Sequence, residues 1–123
     1  MKNTESNLTS IDLFAGCGGL SLGLELEGFT PVFVNELNKD AMGSYLLNRQ
    51  ETAPHLSSGN FNCNDIKELV VRKGAMGALR KRLQTEFGLN VEYGDLDLLV
   101  GGPPCQGFSG IGHRRAPTAA FRR

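Results

Sequence analysis

The chain has 123 residues, 40% of them hydrophobic, with 13 bases balanced by 13 acids. That length allows one domain at most and a real core, with very roughly two-thirds of the chain's surface buried on folding. The balanced charge gives no reason of its own to expect a nucleic-acid partner, and no apolar run approaches the ~18 residues that a bilayer span needs.

The N-terminus, Met1 to Asn7, is polar and lacks the apolar core of a signal peptide. Residues 1–8 are expected to be frayed and disordered. Cys17, Cys63 and Cys105 are far apart, odd in number and without metal-ligand spacing. They fit a reducing compartment, so the expectation is a soluble cytoplasmic protein with no metal and no membrane partner.

Thr9 to Ala15 reads as a first strand and Gly16-Cys17-Gly18-Gly19 as a glycine-rich turn. Leu20 to Glu27 alternates like a strand, but Leu and Glu are good helix formers and Gly28 suits a helix end, so a helix is expected. Pro31 to Asn35 is β-branched and aromatic, a second strand with Glu36 at its end. Asn38 is a good N-cap for a helix over Lys39 to Asn48. Residues 49–60 read as loop. Phe61 to Cys63 reads as a short third strand, and Lys67 to Phe87 as broadly helical, with Gly74 and Gly77 as candidate breaks and Gly88 as its end. Leu96 to Val100 is a short apolar run that reads as a buried fourth strand, stopped by Gly101-Gly102-Pro103-Pro104.

Strands alternating with helices imply a mostly parallel sheet with right-handed crossovers. The expected fold class is α/β, the first four strands of a Rossmann-like sheet in the order 3-2-1-4, with later strands absent from the chain. An incomplete sheet would expose apolar surface, so poor solubility in isolation is expected.

Chemistry is expected at the carboxyl ends of the strands. The glycine turn lets backbone N–H groups approach a ligand, at a helix N-terminus that carries partial positive charge. Glu36 follows Gly16 by 20 residues, at the end of the next strand, where a carboxylate can accept both hydroxyls of a ribose. The bland alternative is a tight turn and a solvent-facing glutamate. Ser21, three residues after Gly18, breaks the dinucleotide fingerprint and argues against an NAD-type domain. Cys105, just past the fourth strand, is either a small buried hydrophobe or a nucleophile. Cys17 and Cys63 take space-filling readings. Between Gly101 and Arg123 lie Arg114, Arg115, Arg122, Arg123 and one histidine but no acid, which hints at an anionic substrate.

Pro103-Pro104-Cys105-Gln106-Gly107-Phe108-Ser109 resembles the nucleophile motif of the DNA (cytosine-5)-methyltransferases. Asp12 to Gly19 looks like that family's S-adenosylmethionine loop. Glu36, Asn38, Ala41, Tyr45 and Asn48 continue its strand-to-helix pattern, and Asp65-Ile66 is similar to its acid-aliphatic pair. The resemblance covers residues 11 to about 115; residues 116–123 form an atypical tail.

The resemblance implies methyl transfer from S-adenosyl-L-methionine to C5 of cytosine in double-stranded DNA, in a restriction-modification type of system. It implies that Cys105 attacks C6 of a cytosine flipped out of the duplex. Phe14 would pack on the adenine, Gly16, Gly18 and Gly19 would pass along the methionine, and Glu36 would hold the ribose. Leu37, Asp65, Ile66 and Pro104 would complete the cofactor walls. Gln106 and Ser109 would begin a loop that closes on DNA, with Arg114 and Arg115 either at phosphates or solvated.

The sequence departs from the family at Leu37, where an aromatic is common, and at Asn64, where glycine is usual. Asp65 is therefore either the adenine acid or a helix N-cap. No Glu-Asn-Val occurs in the chain, so the group that would protonate cytosine N3 is missing. The expectations are a fragment that works with a complementary C-terminal subunit, or an inactive remnant that at most binds the cofactor.

Overall fold

A computed structural model describes residues 7–103. Four strands, β1 (Leu8–Leu13), β2 (Phe29–Asn35), β3 (Asn62–Cys63) and β4 (Leu98–Gly101), form one sheet in the order β3-β2-β1-β4. Every pairing is parallel. The α/β architecture and the strand order are those expected from the alternating pattern. The order reverses between β1 and β4, because the chain winds outward from β1 to β3 and then returns to the far side of β1.

β2 is the heart of the sheet. Pro31, Val32, Phe33, Val34 and Asn35 are all buried, as expected of a parallel strand covered on both faces. Pro31 has no N–H to give to a ladder. The register answers this with an irregularity: Ser10 pairs with Pro31, but Ile11 pairs with Phe33. A bulge is the place where an interior strand tolerates proline.

Helix α1 (Gly19–Leu26) follows β1. Leu20, Leu22 and Leu26 are exposed and Ser21 is its buried residue, because alternate leucines spread around a helix instead of lining one face. Gly28 takes a left-handed φ of 99° just past the end. Helix α2 (Lys39–Leu47) is capped by Asn38, whose Oδ1 accepts the Asp40 and Ala41 N–H groups at 2.9 and 3.0 Å. Asn38→Ala should cost about 1 kcal/mol, read as a lower urea midpoint at an unchanged slope.

The expected loop after α2 contains a 3-10 turn, Pro54–Ser57. The helical stretch after β3 divides into α3 (Lys67–Val70) and α4 (Ala75–Phe87). Gly74, at φ 82°, makes the break, whereas Gly77 lies inside α4. A second 3-10 turn, Val91–Tyr93, precedes β4. The core joins Ile11, Phe33, Tyr45, Leu56, Leu79 and Leu83.

Two expectations need correction. Leu8 pairs with Phe29, so the ordered strand begins inside the segment expected to fray. β4 starts at Leu98 and is only half covered, with Leu99 60% exposed. Among the described residues β4 pairs on one side only, with β1. Asp97 precedes the strand and fastens it to β1 through its side chain, accepting the Thr9 N–H at 2.7 Å. No helix among the described residues is long and apolar enough to cross a membrane.

Candidate functional site

Parallel strands bring all four carboxyl ends to one edge. A cavity of about 590 Å³ opens there, at the point where strand order reverses. Phe14 enters it from the end of β1 and Gly102 from the end of β4. Glu36 and Leu37 come from the end of β2, and Asp65 and Ile66 from the end of β3. Five residues singled out from three separate stretches of sequence thus line one cavity.

Phe14 is the one described non-glycine residue with positive φ, at 54°. That conformation costs an L-residue roughly 1–2 kcal/mol, so neighbours must hold it. Asn35 does so: its Oδ1 accepts the Phe14 N–H at 3.1 Å. The Asn35 amide donates to the carbonyls of Cys63 and Asn64 at 3.2 and 2.9 Å. One side chain, 1% exposed, therefore ties together the loops after β1, β2 and β3. The Phe14 ring packs beside Gly101, where a Cβ would sit in ordinary contact with Phe14 Cδ2 at 3.6 Å.

Glu36 closes the next link. Its Oε1 accepts the Gly16 N–H at 2.8 Å and its Oε2 the Asn38 N–H at 2.7 Å. Each carboxylate oxygen has two acceptor sites, so Glu36 can brace the glycine turn and still accept two ligand hydroxyls. Asn64, in the place of a glycine, donates its amide to the Glu36 carbonyl at 2.9 Å. Asp65 Oδ1 accepts the Lys67 N–H at 2.9 Å at the start of α3, and the residue lines the cavity. Leu37 is 70% exposed and offers the cavity an aliphatic surface.

The glycine turn separates into two roles. Gly16 and Gly19 have open space where a Cβ would stand. At Gly18 a Cβ would meet Arg49 and Tyr45 at 2.7 Å. Cys17, Gly18 and Gly19 line a second cleft, of about 720 Å³, on the α1 and α2 side of the turn. Cys17 is exposed there, not a space filler. Cys63 is half-buried, and burial pushes its thiol up.

Beneath the turn lies a buried polar group that includes Asp12 of the motif Asp12 to Gly19. Burial raises the Asp12 carboxyl to about 6, against the opposing pull of Arg49 and of the neighbouring Ser21 and Tyr45 hydroxyls. Asp12 Oδ2 has no hydrogen-bond partner among the described residues. The folded state thus holds this proton more tightly than the unfolded chain, whose carboxyl titrates near 3.8. Its contribution to stability is full below about pH 3.8 and is lost as pH rises through about 6. Asp12→Asn should remove about 1 kcal/mol of the stability difference between pH 5 and pH 7.5, measured by urea unfolding of both proteins at both values.

Asn35 and Arg49 were not singled out by sequence. The available signals were an asparagine in an otherwise apolar strand and an arginine four residues after Tyr45, one helical turn away. Cys105, Pro104, Gln106, Ser109, Arg114 and Arg115 lie outside the described residues. Among the described residues no group of three His, Cys, Asp or Glu could hold a metal ion.

The chain matches the family model described as C-5 cytosine-specific DNA methylase over residues 8–119. It is 30% identical to a putative type II methyltransferase of Methanocaldococcus jannaschii, with 88% of this chain and 38% of that protein aligned. It is 34% identical to DNA (cytosine-5)-methyltransferase 1 of Mus musculus, over 85% of this chain and 6% of that protein. The type II methyltransferase M.AgeI of Thalassovita gelatinovora is 32% identical, over 88% of this chain and 21% of that protein. The chain therefore spans well under half the length of these relatives. Its motifs, its parallel sheet and the match over most of its length agree: the chain belongs to the C-5 cytosine-specific DNA methylase family.

Proposed function

We propose that this chain is the cofactor-binding and nucleophile-bearing part of a DNA (cytosine-5)-methyltransferase of restriction-modification type. The observation that carries the proposal is the meeting of Phe14, Glu36, Leu37, Asp65 and Ile66 around one cavity, with Gly102, three residues before Cys105, on its rim.

The residues fit S-adenosyl-L-methionine. Phe14, Leu37 and Ile66 give apolar surface for an adenine ring. Glu36 can accept the ribose hydroxyls and Asp65 the adenine amino group. Gly16 and Gly19 leave their backbone open to the methionine part. When bound, the cofactor supplies an electrophilic methyl group on a sulfonium sulfur.

Cys105 is the nucleophile in this reading. Its thiolate adds to C6 of a cytosine flipped from the duplex, forming an S–C6 bond and leaving C5 electron-rich. The bound cofactor would supply the methyl group that C5 takes, the electron pair of the broken sulfonium–methyl bond staying on its sulfur. A base then removes the C5 proton, and the S–C6 bond breaks to restore the ring and the thiolate. Thiolates suit both ends of this cycle, as good nucleophiles and good leaving groups. Gln106, Ser109, Arg114 and Arg115 are assigned to the DNA side, the arginines at phosphates.

No Glu-Asn-Val occurs in these 123 residues. We assign protonation of cytosine N3 and readout of the DNA sequence to a complementary C-terminal polypeptide. The test is transfer of labelled methyl from S-adenosylmethionine to mixed-sequence duplex DNA, by the chain alone and with a family C-terminal segment carrying Glu-Asn-Val. Transfer is expected only in the supplemented reaction, and Cys105→Ser should reduce it to background. Cofactor binding with no transfer in either reaction would leave the chain as a remnant that binds S-adenosylmethionine. Transfer that survives Cys105→Ser would overturn the assignment of the nucleophile.

A further inference from the structure

The Gly16–Gly19 turn is braced from two sides. Glu36 holds the Gly16 N–H from the cavity side. On the opposite side lies Arg49, two residues past the end of α2 and 5% exposed. A guanidinium is expensive to bury unless its donors are met. Here Nε and Nη2 fork onto the Glu25 carboxylate at 2.8–3.1 Å. Nη1 donates to the Tyr45 carbonyl at 3.1 Å, and Nη2 to the Gly18 carbonyl at 3.0 Å. The guanidinium carbon lies 3.7 Å from the centre of the Tyr45 ring, and the Tyr45 hydroxyl is bonded to Ser21 Oγ at 2.8 Å.

A simple ion pair between Arg49 and Glu25 would not require glycine at position 18. Gly18 has φ 96°, and any side chain there would collide with Nη1, Nη2 and the Tyr45 ring. The turn is thus fitted onto the arginine. Gly18 O also accepts the Leu22 N–H at 2.8 Å, so Arg49 fixes the first turn of α1 together with the loop. Gly16 and Gly18 are both in left-handed conformations, and a loop with two such glycines has many other conformations to visit.

We infer that Arg49 is a positioning residue for the cofactor loop, setting the height of the Gly16–Gly19 backbone relative to Glu36. This rests on the reading of that loop as a cofactor site. Lysine cannot replace Arg49, because one ammonium group cannot fork onto Glu25, stack on Tyr45 and reach Gly18 O together.

The test uses the full chain with Arg49→Lys, Arg49→Met and Glu25→Gln. Leu79→Ala, in the core on α4, serves as a control that is destabilised away from the loop. Binding of S-adenosylmethionine is followed by calorimetry, and amide hydrogen exchange is followed without ligand. Both Arg49 variants should bind at least ~10-fold more weakly. Their Gly18 and Leu22 amides should exchange faster at unchanged protection of the β2 amides. Glu25→Gln keeps the bond to Gly18 O and should lose less. Leu79→Ala should keep the wild-type dissociation constant despite its lower melting temperature.

Wild-type affinity in Arg49→Lys, with Gly18 and Leu22 exchanging no faster than in Leu79→Ala, would overturn the inference. Failure of the wild-type chain to bind S-adenosylmethionine would instead overturn the cofactor reading. The exchange rates at Gly18 and Leu22 would then still decide whether Arg49 holds the turn.

Discussion

Asn35→Leu is expected to lower the stability of the chain by on the order of 3 kcal/mol and to abolish S-adenosylmethionine binding. The substitution keeps the size of the side chain and removes both of its polar ends. The Phe14 N–H and the Asn64 carbonyl lose their partner, and the Cys63 carbonyl keeps only the Glu36 N–H. Each group that stays buried without one costs about 1–3 kcal/mol, and each that opens to water costs less. Phe14, held at positive φ by this bond, can then relax and withdraw its ring from the cavity. Asn35→Asp should be nearly as damaging, because it turns an acceptor oxygen toward the Cys63 and Asn64 carbonyl oxygens in place of a donor. Urea unfolding at neutral pH measures the stability, and calorimetric titration measures the binding. Unchanged midpoints in both variants would show that the three loops are held by other means.

Phe33→Ala should have the largest effect on folding, about 3–5 kcal/mol. Phe33 is 2% exposed at the centre of β2 and belongs to the main core cluster. Domains of this size have only about 5–15 kcal/mol in total, so the variant should be close to unfolding at room temperature. Leu99→Ala, on the half-covered strand β4, should cost no more than about 0.5 kcal/mol. The two urea midpoints measured side by side test the account of the sheet. A Leu99 variant as damaged as the Phe33 variant would mean that β4 is covered in the chain's working state.

These contrasts show where the sequence was legible. β2 could be read because a strand buried on both faces is written as a continuous apolar run. α2 could be read because Asn38 caps it locally. The parallel sheet followed from alternation, and its strand order is the one expected of a Rossmann-like fold. Glu36 was legible because it stands at the end of β2, where a parallel sheet gathers its loops, whereas Phe14, Leu37, Asp65 and Ile66 were legible only through the family resemblance.

The apolar run of β4 looked equally buried, yet burial depends on what lies beside a strand, and composition does not encode that. Gly74 and Gly77 are chemically identical, and only the path of the chain decides which one breaks the helix. The roles of Asn35 and Arg49 are not legible in the sequence because they lie in partners 21 to 31 residues away. Hydrogen bonds between loops leave no periodic trace in a sequence.

The central claim is that the cofactor binds at the carboxyl ends of the strands and not in the larger cleft beside α1. The most direct measurement is a titration of the isotope-labelled chain with S-adenosylhomocysteine, the demethylated cofactor, followed by amide chemical shifts. The account predicts saturable shifts at Phe14, Gly16, Glu36, Leu37, Asp65 and Ile66, with Leu26, Phe29 and Thr52 of the larger cleft unmoved. Shifts confined to Leu26, Phe29 and Thr52, or none at saturating ligand, would contradict it.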